Sequence, residues 1–481
     1  MRYKTVIKLL SVTTLSIGLM MIVPLPFSFY YKDNQHWAFI ISSLITLSLG
    51  AIGLLLTKKF KEDIRAKEGF AIVTFSWILF AALGSMPFII SGSMETYTDA
   101  FFETMSGFTT TGASILTDIE ILPKSILFWR SFTHWLGGMG IIVLTIAILP
   151  FLGIGGMQLF KAEVPGLVVD KLTPRITETA KILWGVYVLF SFVQTLLLLL
   201  GGMNLFDSLC HTFGTMATGG FSTKNSSIAH YNSAYIDFII VFFMIIAGIN
   251  FSLHYKILRG NFQEMIGNIE LRFFLLVIFS STLIIGLQLY YNYNYSLFES
   301  FRYGLFQVTS ILTTTGFATD DFEKWSTSSN VILIILMFIG GSAGSTAGGL
   351  KAIRVVLLFK FAYNELKRLL HPNAISLVKY SDNVIDEKIL LNVSGFFVIY
   401  IAITIISTLI LAASGSDFIT SISAVAATIN NIGPGLGKVG PTENYAHFPD
   451  YIKWLLSFLM MIGRLEIYTV IMLLSPIYWK K

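Results

Sequence analysis

The chain has 481 residues, 54% of them hydrophobic and 13% charged, with a formal net charge of +5. A soluble protein carries charge on nearer a quarter of its residues, and so small a positive excess does not signal a nucleic-acid partner. Cys210 is the single cysteine, which excludes an intrachain disulfide and argues against a cysteine-based metal site.

The apolar residues gather into ten long runs, at roughly 5–27, 38–57, 70–92, 126–152, 180–203, 235–258, 271–291, 330–358, 391–414 and 452–477. A run of ~18 or more residues with few charges is a candidate membrane span. Residues 1–68 hold the first two runs and form an N-terminal unit. Arg2, Lys4 and Lys8 lead into the first run, Pro24 and Pro26 close it, and no small-residue cleavage pattern follows. It therefore reads as a retained anchor.

Four units follow, 69–178, 179–268, 269–388 and 389–481, each read as span, half-helix, glycine segment, span. The half-helices Asp99–Phe108, Asp207–Met216, Glu299–Leu312 and Asp417–Ile429 each open on an acidic residue, which suits a helix N-terminus. Each is too short to cross a ~30 Å hydrocarbon core, so each is expected to dip in and return. The segments at their ends read Phe-Thr-Thr-Thr-Gly-Ala (108–113), Met-Ala-Thr-Gly-Gly-Phe (216–221), Leu-Thr-Thr-Thr-Gly-Phe (312–317) and Ile-Asn-Asn-Ile-Gly-Pro (429–434). Their glycines, Gly112, Gly220, Gly316 and Gly433, are separated by 108, 96 and 117 residues. The predicted fold is an all-α membrane protein: four pseudo-symmetric repeats around a central pore, plus two extra N-terminal transmembrane helices.

A monovalent cation sheds its water only where several oxygens replace it together, and main-chain carbonyls do this without a formal charge that would trap the ion. Glycine lets the chain turn carbonyls toward an axis, and the half-helices would aim their negative C-terminal ends at the same place. The predicted ion site comprises Thr110, Thr111, Gly112, Thr218, Gly219, Gly220, Thr314, Thr315, Gly316, Asn431, Ile432 and Gly433. The hydroxyls of Thr109–Thr111 and Thr313–Thr315 either add ligands or brace the loops from behind. No carboxylate falls within the segments, which argues against a divalent-cation site. Asp320, Asp321 and Glu443 lie just outside, either gathering cations at the mouth or standing as solvated loop charges.

The second span of the third unit is interrupted between residues 340 and 349, where five of ten positions are glycine. At ~1 kcal/mol per glycine relative to alanine, a continuous helix there is costly. Gly340, Gly341, Ser342, Gly344, Ser345, Gly348 and Gly349 are predicted to form a mobile flap beneath the pore; the rival reading is close helix packing through small residues. Such a break is read in this unit alone. Arg464 is the second gate candidate, ~20 Å along a span that starts near Tyr451. An intramembrane charge usually faces a cavity, where a guanidinium would repel cations. Glu466 is two residues away and on a helix does not share its face. His134 and His211 read as packed polar residues rather than proton relays.

Counted from a cytoplasmic N-terminus, 24 Lys and Arg fall on the cytoplasmic side, eight on the outer side, and Arg464 inside a span. This bias places both termini in the cytoplasm. The long connections at about 153–179 and 363–390 are docking faces or solvated loops. No His-Glu-x-x-His, Gly-x-Ser-x-Gly or Walker loop is present; Gly433–Lys438 imitates a phosphate loop with the wrong spacing and with Val439 where Ser or Thr is needed. The chain therefore reads as a transporter and not an enzyme. A proton- or sodium-coupled carrier with alternating access is the rival, but it wants an ionisable pair near the midplane, where Arg464 is the only basic residue.

The whole chain resembles the potassium-uptake superfamily that includes Trk, Ktr and plant HKT proteins, with the TrkH family as the nearest branch. The marks are Ser-Gly-Phe-Thr-Thr-Thr-Gly-Ala-Ser (106–114), Ala-Thr-Gly-Gly-Phe-Ser (217–222), Thr-Thr-Thr-Gly-Phe-Ala (313–318), Asn-Asn-Ile-Gly-Pro-Gly (430–435), and the two extra N-terminal spans. The resemblance implies potassium as the ion, with rubidium as surrogate, because all four key positions are glycine; serine at the first goes with sodium transport in some plant members. It also implies an intramembrane gating loop and an arginine in the permeation path, matching Arg464 in Gly-Arg-Leu-Glu. No covalently bound cofactor is implied. A homodimer in the plasma membrane (the bacterial inner membrane) and a cytosolic, nucleotide-binding ring of TrkA type as partner are further implications.

Overall fold

The computed structural model describes residues 3–58, 66–140, 176–371, 378–380 and 383–480. Lys59, Lys61, Arg65, Arg175, the far half of the fourth apolar run and nearly all of the 153–179 connection lie outside the described residues. The chain is an all-α membrane protein. Six described helices are long and apolar enough to span a bilayer: Tyr3–Tyr31 (in two parts), His36–Thr57, Lys67–Ile90, Glu178–Leu200, Ile269–Asn292 and Glu387–Ala413. A two-residue antiparallel pairing, Lys379–Tyr380 with Asn383–Val384, interrupts the 363–390 connection.

Burial runs opposite to that of a soluble helix. Along Glu387–Ala413, Phe396, Tyr400, Thr404 and Ser407 face inward, while Val398, Ile405, Ile406 and Leu409 are exposed. An apolar face turned outward and hydroxyls turned inward is what hydrocarbon solvent selects. The first helix and His36–Thr57 lie so close that a Cβ on Gly18 would come within 2.8 Å of Leu47 Cγ, and one on Gly50 within 2.7 Å of Leu15 Cγ. Small residues permit this approach, which dispersion then stabilises.

The four half-helices are Tyr97–Phe108, Leu205–Met216, Leu297–Leu312 and Phe418–Ile429. They start slightly differently from the expectation. In the first three the acid sits in the first turn, and Thr96, Asn204 and Ser296 cap the helix by accepting from the N–H of Asp99, Asp207 and Glu299. Only in the fourth is the acid itself the cap, with Asp417 accepting from Thr420 N–H.

The interruption at 340–349 has counterparts, so the expectation of a single broken span is corrected. Ala234–Gly248 and Phe251–Leu258 are bent by 103°, and Asp450–Leu465 and Ile467–Leu474 by 119°. Lys124–Trp135 passes into a π-helical stretch, Leu136–Gly140. Between Thr327–Ile339 and Ala352–Leu370 the chain is not helical at all. Three of the four spans that follow a glycine segment are thus broken or bent, and the described part of the other ends in π-helix. The freed carbonyls need partners in a membrane interior, and they find them in one place.

Candidate ion site and the loop beneath it

Each half-helix ends in the same way. Thr110, Thr218, Thr314 and Asn431 have φ of 54°, 54°, 57° and 56°. The N–H groups of Thr111, Gly219, Thr315 and Ile432 reach back to the carbonyls of Ser106, Gly214, Ser310 and Ala427 at 2.9, 2.7, 2.8 and 2.8 Å. A left-handed residue after the last turn, with this long backbone bond, is a Schellman ending. Glycine normally holds the left-handed position. A residue with a side chain there costs roughly 1–2 kcal/mol, and a β-branched threonine is an outlier. Strain repeated in all four segments points to function.

Two residues later, Gly112, Gly220, Gly316 and Gly433 have φ of 80°, 78°, 83° and 97°. A Cβ on Gly112 would lie 2.0 Å from the Gly219 carbonyl oxygen, one on Gly220 2.1 Å from that of Thr315, and one on Gly316 1.9 Å from that of Ile432. A Cβ on Gly433 would lie 2.7 Å from the Thr111 oxygen, which closes the circle. The four segments are therefore brought together in a ring in chain order. Each key glycine lies against the carbonyl that precedes its neighbour's key glycine.

The threonine hydroxyls are mostly turned to bracing. Thr109 pairs with Thr111 and Thr313 with Thr315, both at 2.8 Å. Asn431 Nδ2 donates to Thr111 Oγ1 at 3.0 Å, tying the fourth segment to the first. Thr218 Oγ1 donates to the Ala217 carbonyl. Beside the ring a cavity of about 130 Å³ is lined by the four glycines, Lys224 and Glu443, among others. Asp320 and Asp321 do not line it: Asp320 accepts from Tyr295 and Trp325, and Asp321 caps a short turn.

Beneath the ring lies the 340–349 loop. Gly348 N–H donates to Thr314 Oγ1 at 2.7 Å. A Cβ on Gly348 would lie 2.3 Å from the Asn430 carbonyl oxygen, so only glycine fits there. Thr346 Oγ1 lies 3.0 Å from the Met216 carbonyl, at the end of the second half-helix, and 3.1 Å from that of Ala247. Ser342 N–H takes the Gly248 carbonyl at 2.9 Å. Gly340, Gly344 and Gly349 have φ near 75°; Gly341 packs against Ala347, and Ser345 Oγ donates to the Ser342 carbonyl. The loop thus touches the second, third and fourth segments and satisfies the carbonyls freed at the bend after Ala247.

Arg464 completes the arrangement. Its guanidinium donates to the Thr346 carbonyl of the loop and to the Gly137 and Gly138 carbonyls of the π-helical stretch, all at 2.6 Å. The two gate candidates are one structure. Glu466 is engaged elsewhere, by Arg354. Sequence reasoning missed Thr346 and also Glu270, whose Oε1 accepts from Ala343 N–H at 2.8 Å and Ile353 N–H at 3.1 Å across the neck of the loop. The acid at the head of an apolar run was the available signal. Arg130, within the fourth apolar run, is 1% exposed.

Comparison with known proteins bears on this arrangement. Residues 35–481 match the family model described as TrkH, cation transport protein. The chain is 41% identical to the Trk system potassium uptake protein TrkH of Escherichia coli (strain K12), over the full length of both. It is 37% identical to the Trk system potassium uptake protein TrkG of the same organism, over 96% of each. The crystal structure of the potassium transporter TrkH from Vibrio parahaemolyticus superposes with a TM-score of 0.90 at 37% identity, covering both chains entirely. By sequence and by fold alike, the chain belongs to the TrkH family of cation transport proteins.

Proposed function

We propose that this chain carries potassium, with rubidium as a surrogate, across the plasma membrane through the ring of glycine segments. The carrying observation is the closed circle of glycine-to-carbonyl contacts, supported by relatives named as potassium uptake proteins. The filter residues are the three ending on each key glycine: Thr110, Thr111 and Gly112; Thr218, Gly219 and Gly220; Thr314, Thr315 and Gly316; Asn431, Ile432 and Gly433. Their carbonyls replace hydration water, and the half-helix C-termini add negative potential. The division into a two-helix N-terminal unit and four pore units, 1–68, 69–178, 179–268, 269–388 and 389–481, belongs to the same proposal.

In this reading, the 340–349 loop and Arg464 form the gate. The loop obstructs the inner side, and the guanidinium raises the barrier to cations. Both termini face the cytoplasm of a bacterial inner-membrane homodimer, and a cytosolic ring of TrkA type biases the gate. Flow follows the electrochemical gradient, to which a negative-inside potential contributes ~2.3 kcal/mol per charge per 100 mV. Purified protein in liposomes is expected to pass potassium and rubidium in preference to sodium and lithium. Equal sodium and potassium flux refutes the filter. Potassium uptake that strictly requires a proton or sodium gradient would favour the coupled carrier instead.

A further inference from the structure

Nine residues before the key glycines, the half-helices carry Glu103, His211, Gln307 and Ala424. The first two pin the chain that leaves the ring. Glu103 Oε2 accepts from Ile115 N–H and Oε1 from Ser114 Oγ, both at 2.9 Å. His211 Nε2 lies 3.0 Å from Ser222 Oγ. Gln307 has no partner for either amide atom among the described residues, and Ala424 has nothing to offer. Other side chains hold the chain leaving the third and fourth segments, Ser310 Oγ donating to the Phe317 carbonyl at 2.6 Å and the Tyr445 hydroxyl to the Gly433 carbonyl at 2.7 Å, but the junction of the first and second segments is braced by charge.

That junction holds a buried charged cluster. Arg130 Nε donates to Glu103 Oε1 at 2.6 Å and Nη1 donates to the Ser222 carbonyl at 3.0 Å. Its guanidinium lies 3.6 Å from the centre of the Phe221 ring. His134 stacks on the same ring at 4.0 Å. Its Nε2 accepts from Phe221 N–H at 3.1 Å, so Nδ1 carries the proton and donates to the Gly107 carbonyl at 2.8 Å. The histidine occupies the space that a Cβ on Gly219 would need, 2.6 Å away. Glu103, Arg130, His134 and Phe221 are all 1% exposed or less.

We propose that Glu103, Arg130, His134 and Phe221 are positioning residues that lock the first and second glycine segments to one another and so set the discrimination between potassium and sodium. The inference rests on the ion-filter reading above. One end of the cluster holds Gly107 and Ile115, which flank Gly112. The other holds Phe221 and Ser222, which follow Gly220 directly. Selectivity depends on where carbonyl dipoles stand and how far they yield, and a buried, fully paired network lets them yield little.

The test uses the full chain in liposomes and reads the ratio of rubidium to sodium uptake beside the rubidium rate. Glu103→Gln keeps size and removes charge; the ratio is expected to fall about tenfold, the order of one lost charge-assisted hydrogen bond. Arg130→Lys, which keeps the charge but not the fork, is expected to recover part of the ratio relative to Arg130→Gln. Phe221→Leu removes the ring and leaves the ion pair; its ratio is also expected to fall, and the double variant with Glu103→Gln to fall no further than the worse single one. Should Glu103→Gln not fold, Phe221→Leu decides alone. The control is Asp237→Asn, which breaks another buried ion pair, with Arg302 at 2.7 Å, and is expected to leave the ratio unchanged. Folded Glu103→Gln and Phe221→Leu variants with the wild-type ratio overturn the proposal, as does an equal fall in Asp237→Asn. A wild-type chain with no preference for rubidium overturns the filter reading instead.

Discussion

At the scale of single residues, the key glycines are not interchangeable. The space for a Cβ is 2.0, 2.1 and 1.9 Å at Gly112, Gly220 and Gly316 but 2.7 Å at Gly433. Alanine at the first three is expected to abolish selective rubidium flux, and at Gly433 to spare a measurable part of it; a uniform loss in tracer uptake would contradict that ranking. Gly112→Ser is expected to weaken discrimination against sodium, and unchanged selectivity would mean that this segment does not face ions. Arg464→Ala removes three hydrogen bonds to carbonyls and is expected to raise cation flux. A folded variant with none would reverse the assigned role. The glycine positions were legible from the sequence because glycine after a helix end carries its own reason. The braces were not: Glu103 and Arg130 are 27 residues apart, and nothing in their local pattern announces a pair.

At the scale of elements, helix and half-helix were legible from apolar run length, but of the caps only Asp417 was read correctly, because in the other three the acid lies in the first turn behind Thr96, Asn204 or Ser296. The breaks were legible only where composition forced them. Ten residues with five glycines cannot hide, but the bends after Gly248 and at Glu466 come from tertiary partners that supply hydrogen bonds to the opened backbone. The loop itself should be removable. Shortening 342–347 in a folded chain is expected to raise flux, and unaltered flux would count against a gate. At the N-terminus of the fourth half-helix, Asp417 is held below the usual carboxylate range by the Thr420 hydroxyl and N–H. A lowered carboxyl stabilises the fold above its unfolded value and loses that contribution as the pH falls through its folded one. Asp417→Ala is therefore expected to cost ~1 kcal/mol near neutrality, with the difference in melting temperature from wild type shrinking in acid.

At the scale of the whole molecule, the circular order of the segments follows their order in the chain, as the contacts of Gly112 with Gly219 through Gly433 with Thr111 display. What the sequence pattern does not tell is that a buried ion pair braces the junction of the first and second segments. The one cysteine, Cys210, is buried in the second half-helix. It is expected to resist thiol reagents in the native protein and to react on unfolding, so mass spectrometry of labelled protein reports integrity for every variant above. Labelling of folded wild type would show that the second half-helix breathes.

A circle of leaning parts closes only when its last member arrives. During synthesis, Gly112 and Gly316 both wait for neighbours, and the last of these, at Ile432 and Gly433, leaves the ribosome only when nine-tenths of the chain is already made. Until then three hairpins stand like an arch short of its keystone, their strained threonines held by nothing across the gap. Translation stopped before that point is expected to yield no lesser conduit.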